Sequence, residues 1–382
     1  MRYTTAGESH GQGLTAIVTD VPAGIELSRE AIDADLARRQ RGYGRGGRMV
    51  IEHDRVEVSA GVRFGRTLGS PVALWIANRD AANWGSAMDP WGAAEGVAPV
   101  TAPRPGHADL GGVQRTGATD VRDILERASA RETAARVAAG AIGKALLAAL
   151  GVSVHSWVER IGEAATGPLD PANIDHDAVA ASDVSCPDAS VAAAMRAAID
   201  RAREAGESLG GIIAVCAEGL VPGVGGYAEA GTRLDARLAG AVVSIPAIKG
   251  VEFGDGFAVG SRAGSAVHDE IVLDEGGRLR RATNRSGGID GGMTTGEPIV
   301  LRAVMKPIPT LMRPLKTIDI STGEAADAAR ERSDVCAVPA AAVVAEAEVA
   351  LVLADAYQDV LGRANVADMQ RALAAYRERI AW

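Results

Sequence analysis

The chain has few of the features that mark disulfide-stabilised, membrane or nucleic-acid-binding proteins. Its 382 residues include only three cysteines, Cys186, Cys216 and Cys336, without a Cys-x-x-Cys pair, so we expect a reducing cytosol and neither disulfides nor a zinc site. Aromatic residues make up 3%, and the net charge is -9, whereas nucleic-acid binders are usually basic and carry stacking platforms. No apolar run has membrane-spanning length, and we expect no signal peptide. These absences predict a cytoplasmic protein with neither a membrane nor a nucleic-acid partner.

Two common phosphate-binding motifs are also missing. There is no G-x-x-x-x-G-K-[ST] segment, which excludes a P-loop NTPase. Gly42, Gly44 and Gly47 formally satisfy G-x-G-x-x-G, but they follow a predicted helix, whereas the dinucleotide motif follows a strand and opens a helix. A dinucleotide-binding fold is therefore not predicted.

An arginine-glycine segment stands out against the acidic background. Residues 38–48, RRQRGYGRGGR, contain five arginines and four glycines with no Asp or Glu. Arginine offers a planar fork of donors that fits carboxylate and phosphate, and glycine lets the backbone approach a ligand closely. A flexible basic loop in solvent is the alternative; we interpret the segment as a site for a small anion.

Two histidines lie in glycine-flanked loops beside acidic and polar residues. His10 belongs to Gly-Glu-Ser-His-Gly, and His107 belongs to Arg-Pro-Gly-His-Ala-Asp. A lone histidine is more often structural, but two in such surroundings are candidates for proton transfer near neutral pH. Asp334 follows Arg332 and Ser333; such an aspartate is usually an ion-paired carboxylate, but in a cationic pocket it could act as a base.

Further candidate binding segments lie at a helix start and in two loops. Ser129 and Glu132 form a capping-box pattern at the start of a predicted helix, whose N-terminus favours phosphate; Ser129 is first of all an N-cap. Residues 284–298 carry five glycines and precede a strand that ends in Met-Lys-Pro-Ile-Pro-Thr at 305–310. Backbone wrapped around a flat or phosphorylated ligand would explain this composition.

The mixture of strands and helices lacks a regular strand-helix alternation, which favours an α+β fold over a doubly wound sheet. We expect one compact domain over residues 1–382. Helices are predicted at 28–40, 131–150, 187–205, 343–361 and 366–382. Strands are predicted at 14–21, 71–76, 210–220 and 298–305, with a hairpin over 49–62 turning at His53-Asp54 and an irregular surface loop over 79–103. From the residues alone, the protein is interpreted as an enzyme acting on a small polyanion.

Seven of these segments together resemble the chorismate synthase family, in the family's order and across nearly the whole chain. They are Gly7 to Gly11, Arg38 to Met49, Arg104 to Asp109, Glu126 to Val137, Asn284 to Pro298, Met305 to Thr310 and Arg332 to Pro339. The resemblance implies a four-layer β-α-α-β sandwich and a homotetramer. It also implies the 1,4-anti elimination of phosphate from 5-enolpyruvylshikimate 3-phosphate, which requires reduced FMN and gives chorismate for aromatic amino acid biosynthesis.

The resemblance also implies roles for individual residues. His10 would protonate the departing phosphate, His107 would stabilise the flavin, and Asp334 would assist removal of the C6 proton through flavin N5. The substrate would be bound by Ser9, Arg39, Arg45, Arg48, Arg131 and Arg332. The flavin site would be lined by Arg127, Ala128, Ser129, Pro246, Ala247, Gly291, Lys306, Pro307, Ile308, Pro309, Thr310 and Arg332.

Two alternative functions remain open, and the chain differs from the family pattern at one place. A flavin oxidoreductase would oxidise NAD(P)H without the shikimate substrate, and a non-catalytic anion-binding protein would tolerate loss of His10 and Asp334. Reduced flavin could come from a separate flavin reductase, which the compact length favours. The family usually has Lys-Tyr where this chain has Arg115-Thr116, so any role of that tyrosine ring is absent here.

Overall fold

The first of two large sheets contains four antiparallel strands. The computed structural model describes residues 1–46, 53–93, 95–329 and 334–381. On the central strands, Leu14, Ala16 and Val18 alternate with more exposed residues, as the two-residue period of a half-buried strand requires. The strand order is β1 (Arg2–Ala6), β2 (Gly13–Thr19), β6 (Val72–Ala77) and β3 (Glu57–Ala60).

The second sheet contains five antiparallel strands from the C-terminal two-thirds of the chain. Its order is β10 (Ile248–Phe253), β15 (Ile299–Met305), β9 (Gly211–Glu218), β7 (Ser153–Ile161) and β8 (Ala164–Ala165). The described residues also form four small two-stranded hairpins. They are β4 (Val62–Arg63) with β5 (Arg66–Thr67), β11 (Ile271–Leu273) with β12 (Leu279–Arg281), β13 (Ile289–Asp290) with β14 (Met293–Thr294), and β16 (Lys316–Ile318) with β17 (Ala325–Asp327).

Helices fill the space between the two sheets. In the described part of the chain they are α1 (Arg29–Gln40), α2 (Asp109–Thr116), α3 (Arg122–Ala128), α4 (Thr133–Ala149), α5 (His176–Ala181), α6 (Ala189–Ala205), α7 (Leu234–Val243), α8 (Val338–Leu361) and α9 (Val366–Ile380). Helix α4 packs on β2 and β6, α8 packs on β7 and β9, and the two helices pack on each other. The layers are therefore sheet, helix, helix, sheet, which confirms the predicted α+β sandwich. No helix of the described residues is long and apolar enough to cross a membrane.

Small residues allow α4 and α8 to approach closely. A Cβ added to Gly140 would lie 2.3 Å from the Cβ of Ala347, and one added to Gly143 would lie 3.1 Å from the backbone of Ala350. The alanine-rich composition of the chain thus has a structural purpose here, because larger side chains at this crossing would separate the two sheets. The crossing fixes the relative position of the N-terminal ends of α4 and α8, which both border the site described below.

The predicted long elements are confirmed, and three local predictions differ from the structure or lie partly outside the described residues. The first strand of the predicted hairpin over 49–62 lies largely outside the described residues; in the described part, β3 pairs with β6. The predicted surface loop over 79–103 begins with a 3-10 helix at Arg79–Asn83, in which Asp80 is buried. The helix predicted at 131–150 begins with a 3-10 turn at Ala130–Glu132, and Ser129 caps that turn through the backbone N–H of Arg131. The 3-10 turns at Arg79–Asn83 and Ala130–Glu132 are local features that the helical and loop patterns did not resolve.

Candidate active site

Segments that are far apart in sequence enclose a cavity of about 430 Å³, within the usual range for small-molecule sites. It lies at the N-terminal ends of α4 and α8, beside the loop that joins β1 to β2. Most of the predicted site residues line it: Ser9, His10, Arg39, Arg45, His107, Ala128, Ser129, Arg131, Pro246, Ala247, Lys306, Ile308, Pro309, Thr310 and Asp334. The structure thus brings together the predicted proton-transfer groups and the described arginines predicted to bind substrate.

A few predicted residues are placed elsewhere. The guanidinium of Arg127 donates to the carbonyl oxygens of Thr5 and Gly7 and does not line the cavity. Gly291 lies in the turn between β13 and β14, and Pro307 is also absent from the lining. Arg48 and Arg332 lie outside the described residues.

His10 is held by a buried carboxylate and an aromatic ring. Its Nδ1 lies 2.8 Å from Glu126 Oε1, and its backbone N–H donates to Glu126 Oε2 at 2.8 Å. The ring stacks on Trp84 with centroids 4.0 Å apart. Arg122 completes the group, since it donates to Glu126 at 2.9 Å and lies over the Trp84 ring. Burial alone would raise the pKa of Glu126, but the bonds from His10 and the charge of Arg122 outweigh it and lower that pKa.

His107 has a comparable carboxylate partner within its own segment. Its Nδ1 contacts Asp109 Oδ1, and Asp109 accepts from the backbone N–H and the Nε of Arg104 at 3.0 and 2.8 Å. Arg104 also donates to the hydroxyl of Thr310 at 3.1 Å, which ties this segment to the loop after β15. Burial alone would raise the pKa of Asp109, but the bonds from His107 and Arg104 hold it well below its usual range.

Two buried arginines form the cationic centre of the cavity. Arg131 donates to Asn78 Oδ1 at 2.8 Å and to Asp54 Oδ2 at 2.7 Å. Arg39 donates to Thr133 Oγ1 and to the carbonyl of Ala130, and its Nη1 lies 3.8 Å from Asp54 Oδ2. Burial lowers the pKa of Arg39 to about 9; Asp54 opposes this shift and Arg131 adds to it. Within the described residues, Arg39 Nη1 is buried without a hydrogen-bond partner, so it can donate to a ligand oxygen.

The candidate base is fixed beside the arginine-glycine segment. Asp334 Oδ1 accepts from the backbone N–H of Gly46 at 2.6 Å, and Oδ2 lies 3.1 Å from Arg45 Nη1. The backbone N–H of Val335 donates to the carbonyl of Gly44, so the two segments run side by side. The ion pair and the bond from Gly46 hold the Asp334 side chain at the cavity wall.

The cavity wall is also apolar in large part and includes a strained residue. Ala247 has a φ of 71°, a left-handed conformation that costs energy for a residue with a Cβ. Its carbonyl accepts from the backbone N–H of Lys306 at 2.9 Å, and Lys306 Nζ donates to the carbonyl of Gly106. Apolar neighbours complete this wall: Ile245, Pro246, Met305, Ile308, Pro309, Ala337, Ala340, Ala341 and Val344. An apolar wall beside a lysine suits a flat ring system that carries an anionic group.

Several residues that build this site were not singled out from the sequence. Trp84 and Glu126 contact His10, and Arg104 supports His107. Asn78 holds Arg131 through its oxygen and the carbonyls of Glu8, Ser9 and Gly11 through its nitrogen. None of these belongs to a motif with a known spacing, although Glu126 and Arg104 lie inside segments that carried the resemblance. Arg115 and Thr116, the departure from the family pattern, are exposed at the end of α2 and do not line the cavity.

An anion-binding cavity with two carboxylate-backed histidines and a candidate carboxylate base defines an enzyme site of acid-base type. Comparisons with known proteins identify the class further. The family model for chorismate synthase matches residues 1–358. The chain is 56% identical over 380 residues to the chorismate synthase of Rubrobacter xylanophilus, which covers 99% of this chain and 97% of the relative. It is 50% identical over 389 residues to that of Salinispora tropica, with 100% and 99% covered.

A solved structure agrees with the sequence relatives. A crystal structure of a chorismate synthase superposes with a TM-score of 0.81 at 40% identity, covering 99% of this chain and 98% of that one. The chain belongs to the chorismate synthase family and is a lyase of that family.

Proposed function

We propose that this chain catalyses the 1,4-anti elimination of phosphate from 5-enolpyruvylshikimate 3-phosphate to give chorismate, with reduced FMN as cofactor. In this reaction the C–O bond to phosphate and a C–H bond at C6 break, and a second ring double bond forms, without net oxidation. The observation that carries the proposal is the convergence of Arg39, Arg131, His10 and Asp334 on one cavity. It provides anion binding, a proton donor and a proton acceptor together.

The arginines account for binding of a substrate with two carboxylates and a phosphate. Such a polyanion loses its hydration on entering a closed cavity, so it requires several cations with donors already in place. Arg39 and Arg131 are held in fixed orientations by neighbouring oxygens, and Arg45 adds a third charge. Asp54 lies between Arg39 and Arg131 and limits their mutual repulsion when no anion is bound.

The apolar wall fits the cofactor. Pro246, Ala247 and Ile308 would pack on the flavin ring, and Lys306 and Ser129 lie at the same cavity for its polar groups. Reduced FMN, when bound, supplies electron density that offsets the positive character left on the substrate ring as phosphate departs. The strained backbone at Ala247 supports this assignment, because strain is retained where the surrounding structure uses the resulting geometry.

Two side chains would carry out the proton transfers of the elimination. His10 in its imidazolium form, with Nδ1–H directed to Glu126, would donate the proton of Nε2 to the departing phosphate oxygen and remain as the neutral Nδ1–H ring. Asp334, held in place by Arg45, would accept the proton that is lost from C6 of the substrate. His107 would contact the polar edge of the cofactor through Nε2 and hold it against the apolar wall.

The proposal is tested by phosphate release under anaerobic conditions. Purified protein is mixed with the substrate and photoreduced FMN, and inorganic phosphate is measured over time. We expect release with the parent protein and a fall of about 100-fold or more in the His10→Ala and Asp334→Asn variants. Absence of release by the parent protein contradicts the proposed function, and unchanged release by both variants contradicts the assigned roles.

The assembly and the flavin supply also belong to this proposal. We propose a homotetramer, as the family resemblance implies, and a separate flavin reductase as the source of reduced FMN. Exposed apolar side chains on the β11–β12 hairpin support an assembly, since Ile271 and Leu273 are 62% and 65% exposed in the single chain. Adding NADPH and oxidised FMN in place of reduced FMN tests the second point, because without a reductase no product should form.

A further inference from the structure

Both site histidines direct the same ring nitrogen to a buried carboxylate. His10 Nδ1 lies 2.8 Å from Glu126 Oε1, and His107 Nδ1 contacts Asp109 Oδ1. Glu126 is 3% exposed and Asp109 is completely buried. Each carboxylate is in turn held by an arginine, Arg122 on Glu126 and Arg104 on Asp109. The arrangement therefore occurs twice, on two different segments of one cavity.

The donors around Glu126 require an ionised carboxylate. Oε2 accepts from the backbone N–H of His10 at 2.8 Å, while Oε1 accepts from Arg122 Nη1 at 2.9 Å and lies 2.8 Å from His10 Nδ1. The backbone N–H and the guanidinium can only donate. Both oxygens are thus acceptors, and a lone pair on Nδ1 would face a negatively charged oxygen. The proton of neutral His10 consequently belongs on Nδ1.

The same argument from the surrounding hydrogen-bond donors applies to Asp109. Oδ2 accepts from the backbone N–H and the Nε of Arg104, and Oδ1 accepts from Arg104 Nη2 at 3.2 Å and contacts His107 Nδ1. Arg104 Nη2 also lies 3.1 Å from His107 Nδ1, but a lone pair on that nitrogen would face the carboxylate oxygen at shorter range. His107 therefore carries its neutral-state proton on Nδ1 as well.

From these contacts we infer that Glu126 and Asp109 are positioning residues, which fix the Nδ1–H tautomer of neutral His10 and His107 and hold each ring in place through Nδ1. Neither carboxylate lines the cavity, so each acts through its histidine. Other charged groups also lie near the histidines. Arg122 and Asp80 lie on the elements around His10, Glu8 lies in its own loop, and Arg104 and Lys306 lie next to His107.

A glutamine at position 126 cannot satisfy the three donors. If its oxygen faces Arg122 and His10 Nδ1, its NH2 group opposes the backbone N–H of His10. If the oxygen instead faces that N–H, the NH2 group opposes Arg122 and forces Nδ1 to become an acceptor. Because glutamine matches glutamate in size, the substitution alters hydrogen bonding with little change in packing. Asp123→Asn is the matched control, because Asp123 is exposed on the same helix.

The direct experiment is nitrogen-15 NMR of the protein with labelled histidine imidazoles, in neutral to mildly alkaline buffer. The chain contains six histidines, and the His10→Ala and His107→Ala variants identify the two signals by their loss. We expect both neutral rings in the parent protein to carry the proton on Nδ1. A predominant Nε2–H form of either ring in the unmodified protein overturns the inference, and this measurement requires neither turnover nor a stable variant.

Variants then test whether the tautomer matters for catalysis. This part of the experiment rests on the proposed function. We expect Glu126→Gln to shift neutral His10 towards the Nε2–H form and to lower kcat by about 100-fold, with KM near the parent value, because the carboxylate that pairs with the imidazolium donor is lost. Asp123→Asn should change neither. Loss of turnover with the parent tautomer retained would indicate a merely structural role and overturn the inference. A parent protein that lacks turnover but shows Nδ1–H on both rings would contradict the proposed function alone.

Discussion

Among single residues, Arg39 gives the clearest indication of a binding site for an anion. Its Nε and Nη2 are anchored to Thr133 and to the carbonyl of Ala130, while Nη1 is buried without a hydrogen-bond partner among the described residues. A buried donor of this kind costs free energy until an acceptor arrives. The cost is recovered when an oxygen of an anion is bound, so we interpret Arg39 as a preorganised substrate contact.

The Arg39→Lys variant tests this interpretation. Lysine keeps the positive charge but cannot reproduce three directed donors, so one charge-assisted hydrogen bond to substrate is lost. We expect KM for the shikimate substrate to rise by about 10-fold or more, which corresponds to about 1.5 kcal/mol. Steady-state kinetics with reduced FMN measure the effect. Arg29→Lys, on the exposed side of the same helix, should behave like the parent; an equal rise in both variants would contradict the assignment.

Helix α8 carries two buried glutamates that face opposite sides. Glu346 accepts from both guanidinium nitrogens of Arg38 at 2.8 Å and from Lys144 at 2.6 Å. Burial alone would raise the pKa of Glu346, but these cations outweigh it and lower the pKa to about 2. Glu348 contacts Tyr3 and Arg136, and there burial dominates and raises the pKa.

The Glu346→Gln variant should therefore show a cost that depends on pH. The lowered pKa means that ionised Glu346 stabilises the fold above its unfolded value near 4.5, and this contribution is lost as pH falls towards about 2. We expect a loss of about 3 kcal/mol at pH 7, since one partner of a buried ion pair is removed. Denaturant unfolding at several pH values should show the difference from the parent shrinking in acid. A difference independent of pH would be inconsistent with this linkage.

The Glu348→Gln variant is the matched control on the same helix. Because its pKa is raised, the stability that the protonated Glu348 contributes is present below 4.5 and is lost as pH rises through the folded value. The free-energy difference between this variant and the parent should thus be larger in acid than near neutral pH. Parallel pH trends for the two variants would contradict the opposite environments that the structure assigns to them.

The crossing of α4 and α8 offers a packing test. A methyl group at Gly140 would lie 2.3 Å from the Cβ of Ala347 and 2.6 Å from its Cα, so one helix must move. We expect Gly140→Ala to lower the free energy of unfolding by about 1–3 kcal/mol despite the higher helix propensity of alanine. Gly240 in α7 has open space around its Cα, and Gly240→Ala should instead stabilise by about 0.5–1 kcal/mol. Stabilisation by both substitutions would show that the crossing tolerates a larger separation.

For the whole molecule, the long elements and most cavity residues could be predicted from the sequence. The helix predicted at 187–205 is α6, which spans Ala189–Ala205, and the apolar runs of β9 and β15 become buried strands as predicted. Trp84 could not be placed this way, because its segment has no periodic pattern and its position depends on contact with His10. The role of Glu126 likewise depends on a partner 116 positions away in the chain. Sequence periodicity predicts local secondary structure, whereas these side-chain contacts form only when distant segments fold together.

Assembly gives a further test at this scale. Ile271, Leu273 and Leu279 share one face of the β11–β12 hairpin, and all three are more than half exposed in the single chain. If the homotetramer buries this face, Leu273→Asp should shift the measured mass below four times the 39.2 kDa of one chain. Light scattering coupled to gel filtration gives the mass. Arg280→Gln, on the other face of the hairpin, should leave the assembly intact, and an unchanged mass in Leu273→Asp would exclude this face as the contact.

The central claim is that one cavity carries out a redox-neutral elimination with a reduced flavin. Its most direct test is an anaerobic reaction of 5-enolpyruvylshikimate 3-phosphate with photoreduced FMN, in which chorismate and inorganic phosphate are both quantified. A parallel reaction contains oxidised FMN and NADPH instead. We predict equal amounts of the two products in the first reaction and neither in the second. Absence of chorismate in the first reaction, or NADPH oxidation without substrate in the second, would contradict the account.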